Sequence, residues 1–168
     1  MIELPKLPPD AIVRFRIGDW LDANAARRVR IVSGQPGAGK TVAVAAWARY
    51  RPNAVRWLTV AAGATETDLR ALLAEPVTGE LVVDGADRAA PDGRAFLAEL
   101  APAAPGNLRV IYLVRDTRMF EAPALGEAAL MDATLLRFDE GEIERFCTAH
   151  GVGLTTKDRQ RFATATGG

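Results

Sequence analysis

The chain has 168 residues and a mass of 18.0 kDa, the length of one typical domain, which largely excludes a multi-domain protein. Hydrophobic residues make up 49% of the sequence and charged residues 25%, so the chain can bury a core and does not have a disordered composition. The 21 basic and 21 acidic residues give a formal net charge of zero. This balance excludes a global field that would hold nucleic acid or an anionic membrane, so an anion site has to be local.

Cysteine and histidine are each present once. The single Cys147 excludes an internal disulfide and a cysteine-based zinc cluster, and the single His150 leaves too few ligands for a histidine metal site. The N-terminus lacks the basic segment and apolar run of a signal peptide, and no stretch approaches about 18 unbroken apolar residues. These features predict a cytoplasmic, reducing setting without a membrane span.

Segments rich in branched residues alternate with segments of helical period. This alternation predicts an α/β fold with a five-stranded, mainly parallel sheet flanked by helices. The predicted strands are short and almost continuously apolar, as expected of strands that helices cover on both faces. They are Val29–Ser33, Val55–Val60, Glu80–Asp84, Leu108–Val114 and Ala133–Phe138.

Helix signals lie between these strands. An alanine-rich run predicts a helix over Lys40–Tyr50, because the following Pro52 cannot continue it. The capping-box pattern at residues 65–68 predicts the start of a second helix, and Pro91 predicts the start of a third. Both of these helices are expected to cover the sheet.

The tail after Phe138 has a different character. Residues 139–142 and 155–158 are helix-start signals, and Gly151 between them is a predicted helix stop. Two consecutive helices without a strand indicate that another module begins here.

The segment 34–41, with the sequence GQPGAGKT, is a complete match to the GxxxxGK[ST] motif. It directly follows a predicted strand and directly precedes a predicted helix. Its glycines permit turns that aim backbone N–H groups at phosphate oxygens, and the helix start adds the positive end of its dipole. The predicted phosphate-binding residues are Gly34, Gln35, Pro36, Gly37, Ala38, Gly39, Lys40 and Thr41, of which Lys40 reaches the β- and γ-phosphates and Thr41 coordinates Mg²⁺.

A second motif is the apolar strand that ends in Asp84. This pattern is typical of a Walker B element, which delivers a carboxylate toward Mg²⁺, although an aspartate that ends a strand is often only a turn former. After a complete P-loop, the pattern predicts Asp84 as a metal ligand together with Thr41. The interval between the motifs leaves room for Val55–Val60, which suits the P-loop branch that inserts a strand between the two motif-bearing strands.

Hydrolysis needs a residue that positions or deprotonates water, and many members of that branch place a glutamate directly after the Walker B aspartate. Gly85 occupies this position here. Asp87 is the nearest substitute, and its alternative interpretation is a solvated loop acid. We therefore expect weak hydrolysis at most, with the bound nucleotide acting as a conformational signal.

Arg115 follows the fourth predicted strand, beside the expected phosphate site of a parallel sheet. It is a candidate sensor of the γ-phosphate. The alternative interpretation is an ordinary surface arginine that is paired with a neighbouring acid.

Several segments together resemble the ATPase domain of STAND signal-transduction NTPases. They are the P-loop, the strand with central Trp57, ELVVDGADR, LRVIYLVRDT, the tail LLRFDEGEIERFCTAHGV and the final TATGG. Within this class the chain is most similar to LuxR-type transcriptional activators of the maltose-regulon-activator kind. The resemblance implies a P-loop NTPase fold of the ASCE type that binds ATP or ADP with Mg²⁺. It also implies metal binding by Asp84 and γ-phosphate sensing by Arg115. A loose match at residues 13–17 implies that Ile12, Val13 and Arg14 lie near the adenine.

The resemblance further implies a division of the chain into a nucleotide-binding core, residues 1–138, and the truncated beginning of a helical lid, residues 139–168. The remaining lid, a winged helix, sensor repeats and a DNA-binding helix-turn-helix would belong to a longer regulator. Direct nucleic acid binding by this domain is not expected, and nucleotide-dependent self-association stays open. Two other classes stay open: an AAA+ ATPase similar to clamp-loader subunits, whose DEADR resembles DGADR, and a small-molecule P-loop kinase.

Overall fold

The computed structural model describes residues 4–51, 55–103, 107–120 and 127–153, together with residues 155, 158 and 161. The strands are β1 (Val29–Ser33), β2 (Val55–Thr59), β3 (Glu80–Asp84), β4 (Arg109–Val114) and β5 (Ala129–Met131). The helices are α1 (Phe15–Ala23), α2 (Lys40–Arg49), α3 (Glu66–Leu72), α4 (Pro91–Ala103) and α5 (Glu140–Ala149), with a 3₁₀ turn at Ala86–Arg88. Within these ranges, no helix is both long enough and apolar enough to cross a membrane.

The sheet has the strand order β2-β3-β4-β1-β5, and each neighbouring pair is parallel. The predicted α/β fold with a parallel five-stranded sheet is therefore confirmed. A strand does separate the P-loop strand β1 from the Asp84 strand β3, but that strand is β4. The segment Val55–Thr59 forms the edge strand β2 instead.

Side chains alternate between the two faces of the sheet, and each face is covered by its own pair of helices. One core lies under α3 and α4, and the other lies under α1 and α2. Both faces of the central strands are apolar, which explains their continuous apolar runs. The first core includes Ile31, Leu58, Leu69, Val83, Leu97 and Tyr112, and the second includes Ile17, Val32, Val44, Trp57, Val82 and Ile111.

The prediction of a strand at Ala133–Phe138 is wrong, because these residues form turns and the fifth strand is the shorter Ala129–Met131. The Asp132 carboxylate accepts hydrogen bonds from the backbone N–H groups of Thr134 at 2.9 Å and Leu135 at 3.2 Å. This side-chain turn ends the extended backbone. Leu136 is buried because it packs in the core under α1 and α2.

The predicted helix starts at residues 65–68 and 139–142 are both true capping boxes. In the second, the Asp139 carboxylate accepts from the Glu142 N–H at 2.7 Å, and the Glu142 carboxylate accepts from the Asp139 N–H at 3.2 Å. The predicted stop at Gly151 has φ +67°, and the N–H of Val152 donates to the Cys147 carbonyl at 2.8 Å. Most of the next predicted helix and the final TATGG lie outside the described residues.

Helix α1 has no counterpart in the sequence-based assignment. Its buried residues Ile17 and Leu21 are four positions apart, on the face that packs against α2. This helix has only nine residues, so its 3.6-residue period is a weak sequence signal.

Candidate functional site

The P-loop connects β1 to α2 at the carboxyl end of the sheet. Gly37 has φ +87° and Gly39, the N-cap of α2, has φ +76°, which are left-handed conformations that favour glycine. Gly34 is favoured for a different reason, because a Cβ there would lie 2.9 Å from Cδ1 of Leu136, whose side chain would have to shift. The local sequence thus dictates a tight loop that turns into the start of a helix.

Lys40 is folded back over this loop. Its ammonium group donates hydrogen bonds to the carbonyl oxygens of Gly34 and Gln35, the latter at 3.0 Å. Burial lowers the pKa of Lys40, and the negative charges of Asp84 and Asp87 partly oppose this effect. The Lys40 ammonium group therefore lies within the loop and is bound to neutral carbonyl oxygens. The charged oxygens of a phosphate group could take the place of these carbonyls.

Thr41 and Asp84 meet directly, although they belong to different elements. The Thr41 hydroxyl, in the first turn of α2, donates to the Asp84 carboxylate, at the end of β3, at 2.9 Å. Burial raises the pKa of Asp84, while the Thr41 hydrogen bond and the positive charges of Arg88 and Lys40 oppose the rise.

The oxygen atoms of Thr41 and Asp84 suit Mg²⁺, which prefers hydroxyl, carboxylate, phosphate and water oxygens. No group of three or more His, Cys, Asp or Glu side chains that could hold a metal occurs in the part of the chain that the structure describes. A few protein oxygens completed by phosphate oxygens are the usual arrangement for Mg²⁺ at a nucleotide site. The residues present therefore fit the predicted ion.

Asp87 and Arg115, predicted separately as site residues, form one ion pair. Asp87 lies in the 3₁₀ turn after Gly85, and its carboxylate accepts from Nε of Arg115 and from the Arg115 backbone N–H, the latter at 3.3 Å. The Asp87 side chain is 12% exposed and the Arg115 side chain 53%. Asp87 would have to leave this pair to act as a base, and the pairing matches the alternative interpretation of Arg115.

These groups surround one cavity of about 610 Å³ at the carboxyl edge of the parallel strands. Ligands of open α/β sheets bind at this edge. Gly34 lies buried beneath the loop, and Gln35 is exposed. The residues that line the cavity include Pro36, Gly37, Gly39, Lys40, Thr41, Asp84, Gly85, Asp87, Arg88 and Arg115.

Arg14 lies beside the P-loop, but its guanidinium is turned toward the tail. Nε and Nη2 donate to the Glu142 carboxylate at 3.1 and 3.0 Å, and Nη2 also donates to the carbonyls of Leu136 and Arg137 at 2.8 and 2.9 Å. Nη1 is buried without a hydrogen-bond partner, 3.7 Å from the place of a Cβ on Gly39.

Val13 lines a separate cavity of about 150 Å³ between α1 and α2. The structure therefore does not bring Val13 into the cavity of Lys40 and Asp84, and a contact of Val13 or Arg14 with adenine stays a prediction.

Two charged residues of this region were not selected from the sequence. Glu142 is 1% exposed and accepts from Arg14 and Arg16, whereas its sequence signal was only that of a helix cap. Arg88 lines the cavity of Lys40 and Asp84, and its signal was its place four residues after the Walker B aspartate.

No family model matches the chain, and no curated protein matches its sequence. Solved structures that match include RuvB of Thermotoga maritima, an AAA+ P-loop ATPase, described as a Holliday junction branch migration motor. That structure has 15% identity and a TM-score of 0.56, over 87% of this chain and 53% of that chain. An alanine-to-serine variant of RuvB gives 14% identity and a TM-score of 0.56 over the same shares, and a threonine-to-valine variant gives 15% and 0.57 over 82% and 48%.

The chain spans about half the length of these RuvB structures, and similarity at such low identity concerns the fold. The strand order, with β4 between β1 and β3, agrees with this similarity of fold. The chain therefore has the P-loop NTPase fold of the ASCE type.

Proposed function

We propose that this chain is an ATP- or ADP-binding switch domain with weak ATP hydrolysis. The observation that carries the proposal is the 2.9 Å hydrogen bond between Thr41 and Asp84, inside the cavity that Lys40 also lines. It joins the two motifs of the sequence at one point, where a hydroxyl and a carboxylate are available to Mg²⁺. Bound Mg²⁺ would neutralise charge on the phosphates.

The loop itself supplies the groups that would hold the phosphates. Gly37, Gly39 and the first residues of α2 have backbone N–H groups, whereas Pro36 has none, and the N-terminus of α2 adds a favourable dipole. Lys40 adds a full positive charge. Its ammonium group can exchange the carbonyls of Gly34 and Gln35 for phosphate oxygens. These interactions serve a diphosphate and a triphosphate alike, and so both nucleotides are expected to bind.

Weak hydrolysis follows from the residues that adjoin Asp84. Gly85 brings no acid, and Asp87 is engaged by Arg115. The lack of a positioned general base typically lowers a rate by about 10² to 10⁴. A bound triphosphate would therefore persist and act as a signal.

The finer part of the proposal is that this domain is the regulatory NTPase module of a longer LuxR-type transcriptional regulator. Its support is the resemblance of the motifs to STAND NTPases, together with the contact of α5, the first helix of the proposed lid, with Arg14. The rest of that regulator would bind DNA, and this domain would bind nucleotide only.

A hydrolysing AAA+ ATPase is the second candidate function. It is favoured by the fold similarity to RuvB, which is described as a motor. A turnover number above about 1 s⁻¹, or assembly into rings on addition of nucleotide, would support it over the switch.

The experiment is a calorimetric titration of ATP and ADP, each with Mg²⁺, into the wild-type chain, Lys40→Ala and Lys6→Ala. Lys6 is exposed in the N-terminal segment and serves as the matched control. We expect binding to the wild type and to Lys6→Ala, and loss of binding in Lys40→Ala. Equal binding to all three proteins, or no binding to the wild type, would contradict the proposal.

A further inference from the structure

The guanidinium of Arg88 fills the space in front of Gly85. A Cβ on Gly85 would lie 2.4 Å from Nε, 2.8 Å from Nη2 and 2.9 Å from Cζ of Arg88. Gly85 directly follows Asp84, and the positive charge of this guanidinium acts on the Asp84 carboxyl group. Arg88 also lines the same cavity as Lys40 and Thr41.

Backbone contacts on both sides hold Arg88 in this place. Its Nη2 donates to the carbonyl of Val60 at 2.5 Å, its backbone N–H donates to the Gly85 carbonyl at 2.9 Å, and its own carbonyl accepts from the Gly63 N–H at 2.8 Å. A guanidinium has five N–H donors, more than the Val60 carbonyl can accept, so others are available to a ligand.

The strand order places Arg88 and Lys40 on opposite sides of Asp84. Val60 follows the edge strand β2, whereas the P-loop follows β1, and β3 with Asp84 lies between them in the sheet. The positive charges of Arg88 and Lys40 both lower the pKa of Asp84, and the effect of Arg88 is the larger one. This order agrees with the proximity of Arg88 to Asp84. A phosphate group near Asp84 would thus have one cation on each side.

The two arginines of the cavity differ in their present acceptors. Arg115 is paired with the carboxylate of Asp87, and a ligand would have to compete with that charge. Arg88 donates to a neutral carbonyl, which competes less with an anion. Arg88 is therefore better prepared to bind an anion than Arg115 is.

We propose that Arg88 binds the terminal phosphate of a nucleoside triphosphate and makes the site favour a triphosphate over a diphosphate. This inference rests on the proposed function, because it assumes that the P-loop holds the first phosphates. It assigns the triphosphate contact to a residue on the β2 side of Asp84 in place of Arg115.

The test compares the ratio of ATP to ADP affinity, measured by calorimetry with Mg²⁺, in the wild type, Arg88→Ala, Arg88→Gln and Arg118→Ala. Arg118 is 89% exposed and bound to Asp116, and it serves as the matched control. Arg88→Gln keeps a neutral N–H donor near Val60 but removes the charge, so it decides the question if Arg88→Ala does not fold.

We expect both Arg88 variants to weaken ATP binding about tenfold or more and ADP binding less than about threefold, because only ATP would lose a charge-assisted hydrogen bond. Arg118→Ala should leave the ratio unchanged. A purely structural role of Arg88 would weaken both nucleotides equally, and an unchanged ratio would overturn the inference. If the wild type binds both nucleotides and Lys40→Ala binds neither, an unchanged ratio in the Arg88 variants would overturn only the role of Arg88. Absence of binding to the wild type would overturn the proposed function as well.

Discussion

The two sides of the P-loop are built in different ways. On the side of Asp84, the geometry comes from short stretches of sequence, namely residues 34–41 and 84–88, which follow β1 and β3 on either side of β4. On the side of α5, it comes from Arg14 and Glu142, which are 128 positions apart and form a buried ion pair. The Asp84 side can therefore be recognised from motifs, whereas the α5 side depends on how the whole chain folds.

This difference also concerns energetics. The loop side relies on glycine conformations and on hydrogen bonds of groups that are exposed or only partly buried, each of modest value. The α5 side places two nearly unexposed charges next to each other, and removal of one leaves the other buried without compensation. Substitutions on the α5 side should therefore cost the most stability, whereas those on the loop side should chiefly affect ligand binding.

The largest effect is expected for Glu142→Ala. It should lower the free energy of unfolding by about 3 to 5 kcal/mol, because Arg14 would stay buried without its carboxylate. Urea denaturation followed by circular dichroism measures this. Glu140→Gln, an exposed acid in the first turn of the same helix, is the control and should cost less than about 1 kcal/mol. A similar small loss in both variants would remove the contrast between the two sides.

Next in size is Gly85→Ala. The positive φ of +77° and the contact with the Arg88 guanidinium should together cost about 1 to 3 kcal/mol of stability. Gly153→Ala is the control, since a Cβ there meets open space, and its effect should stay within about 0.5 kcal/mol. Thermal or urea denaturation of both variants tests the expectation. Unchanged stability of Gly85→Ala would mean that neither the positive φ nor the Arg88 side chain restricts this position.

A smaller effect, confined to ligand binding, is expected for Thr41→Val. Loss of the hydroxyl should abolish most of the Mg²⁺ dependence of ATP affinity, a change of about tenfold, because one oxygen ligand is gone. Thr41→Ser retains the hydroxyl and should behave like the wild type. Titrations with and without Mg²⁺ measure the dependence, and a metal dependence that survives in Thr41→Val would place the ion elsewhere.

The smallest effect concerns pH and lies on the α5 side. His150, the residue after α5, donates from Nδ1 to the Phe146 carbonyl and pairs through Nε2 with Asp10, and these contacts raise the pKa of His150 above its usual value. The native state thus binds the proton more tightly than the unfolded chain, so this contribution is complete below about pH 6.5 and is lost as pH rises through the higher native pKa.

Replacement by asparagine tests this expectation. The midpoint of thermal unfolding of His150→Asn should lie slightly below that of the wild type at pH 6 and should approach it above pH 8. A difference that is the same at both pH values would show that the ring acts through packing on Phe146 and not through its charge.

Sequence patterns predicted four strands, the P-loop and both capping boxes well, because each depends on residues that are neighbours in the chain. The fifth strand was misplaced because Leu135 and Leu136 look like a strand, whereas the Asp132 turn shapes their backbone. The identity of Asp87 as the acid that pairs with Arg115 could not be predicted, because it depends on how closely the 3₁₀ turn approaches the end of β4. The position of Arg88 in the cavity could not be predicted for a similar reason, since it depends on its side chain folding back over Gly85.

The most direct test of the central claim, binding of ATP with little turnover, is to follow the fate of bound nucleotide. The protein is incubated with labelled ATP and Mg²⁺, separated from free nucleotide, and the bound ATP and ADP are quantified over time. We predict that the wild type retains ATP and that turnover stays well below about 1 s⁻¹. Rapid conversion of the bound nucleotide to ADP with continued turnover, or retention of label by Lys40→Ala equal to that of the wild type, would contradict the account.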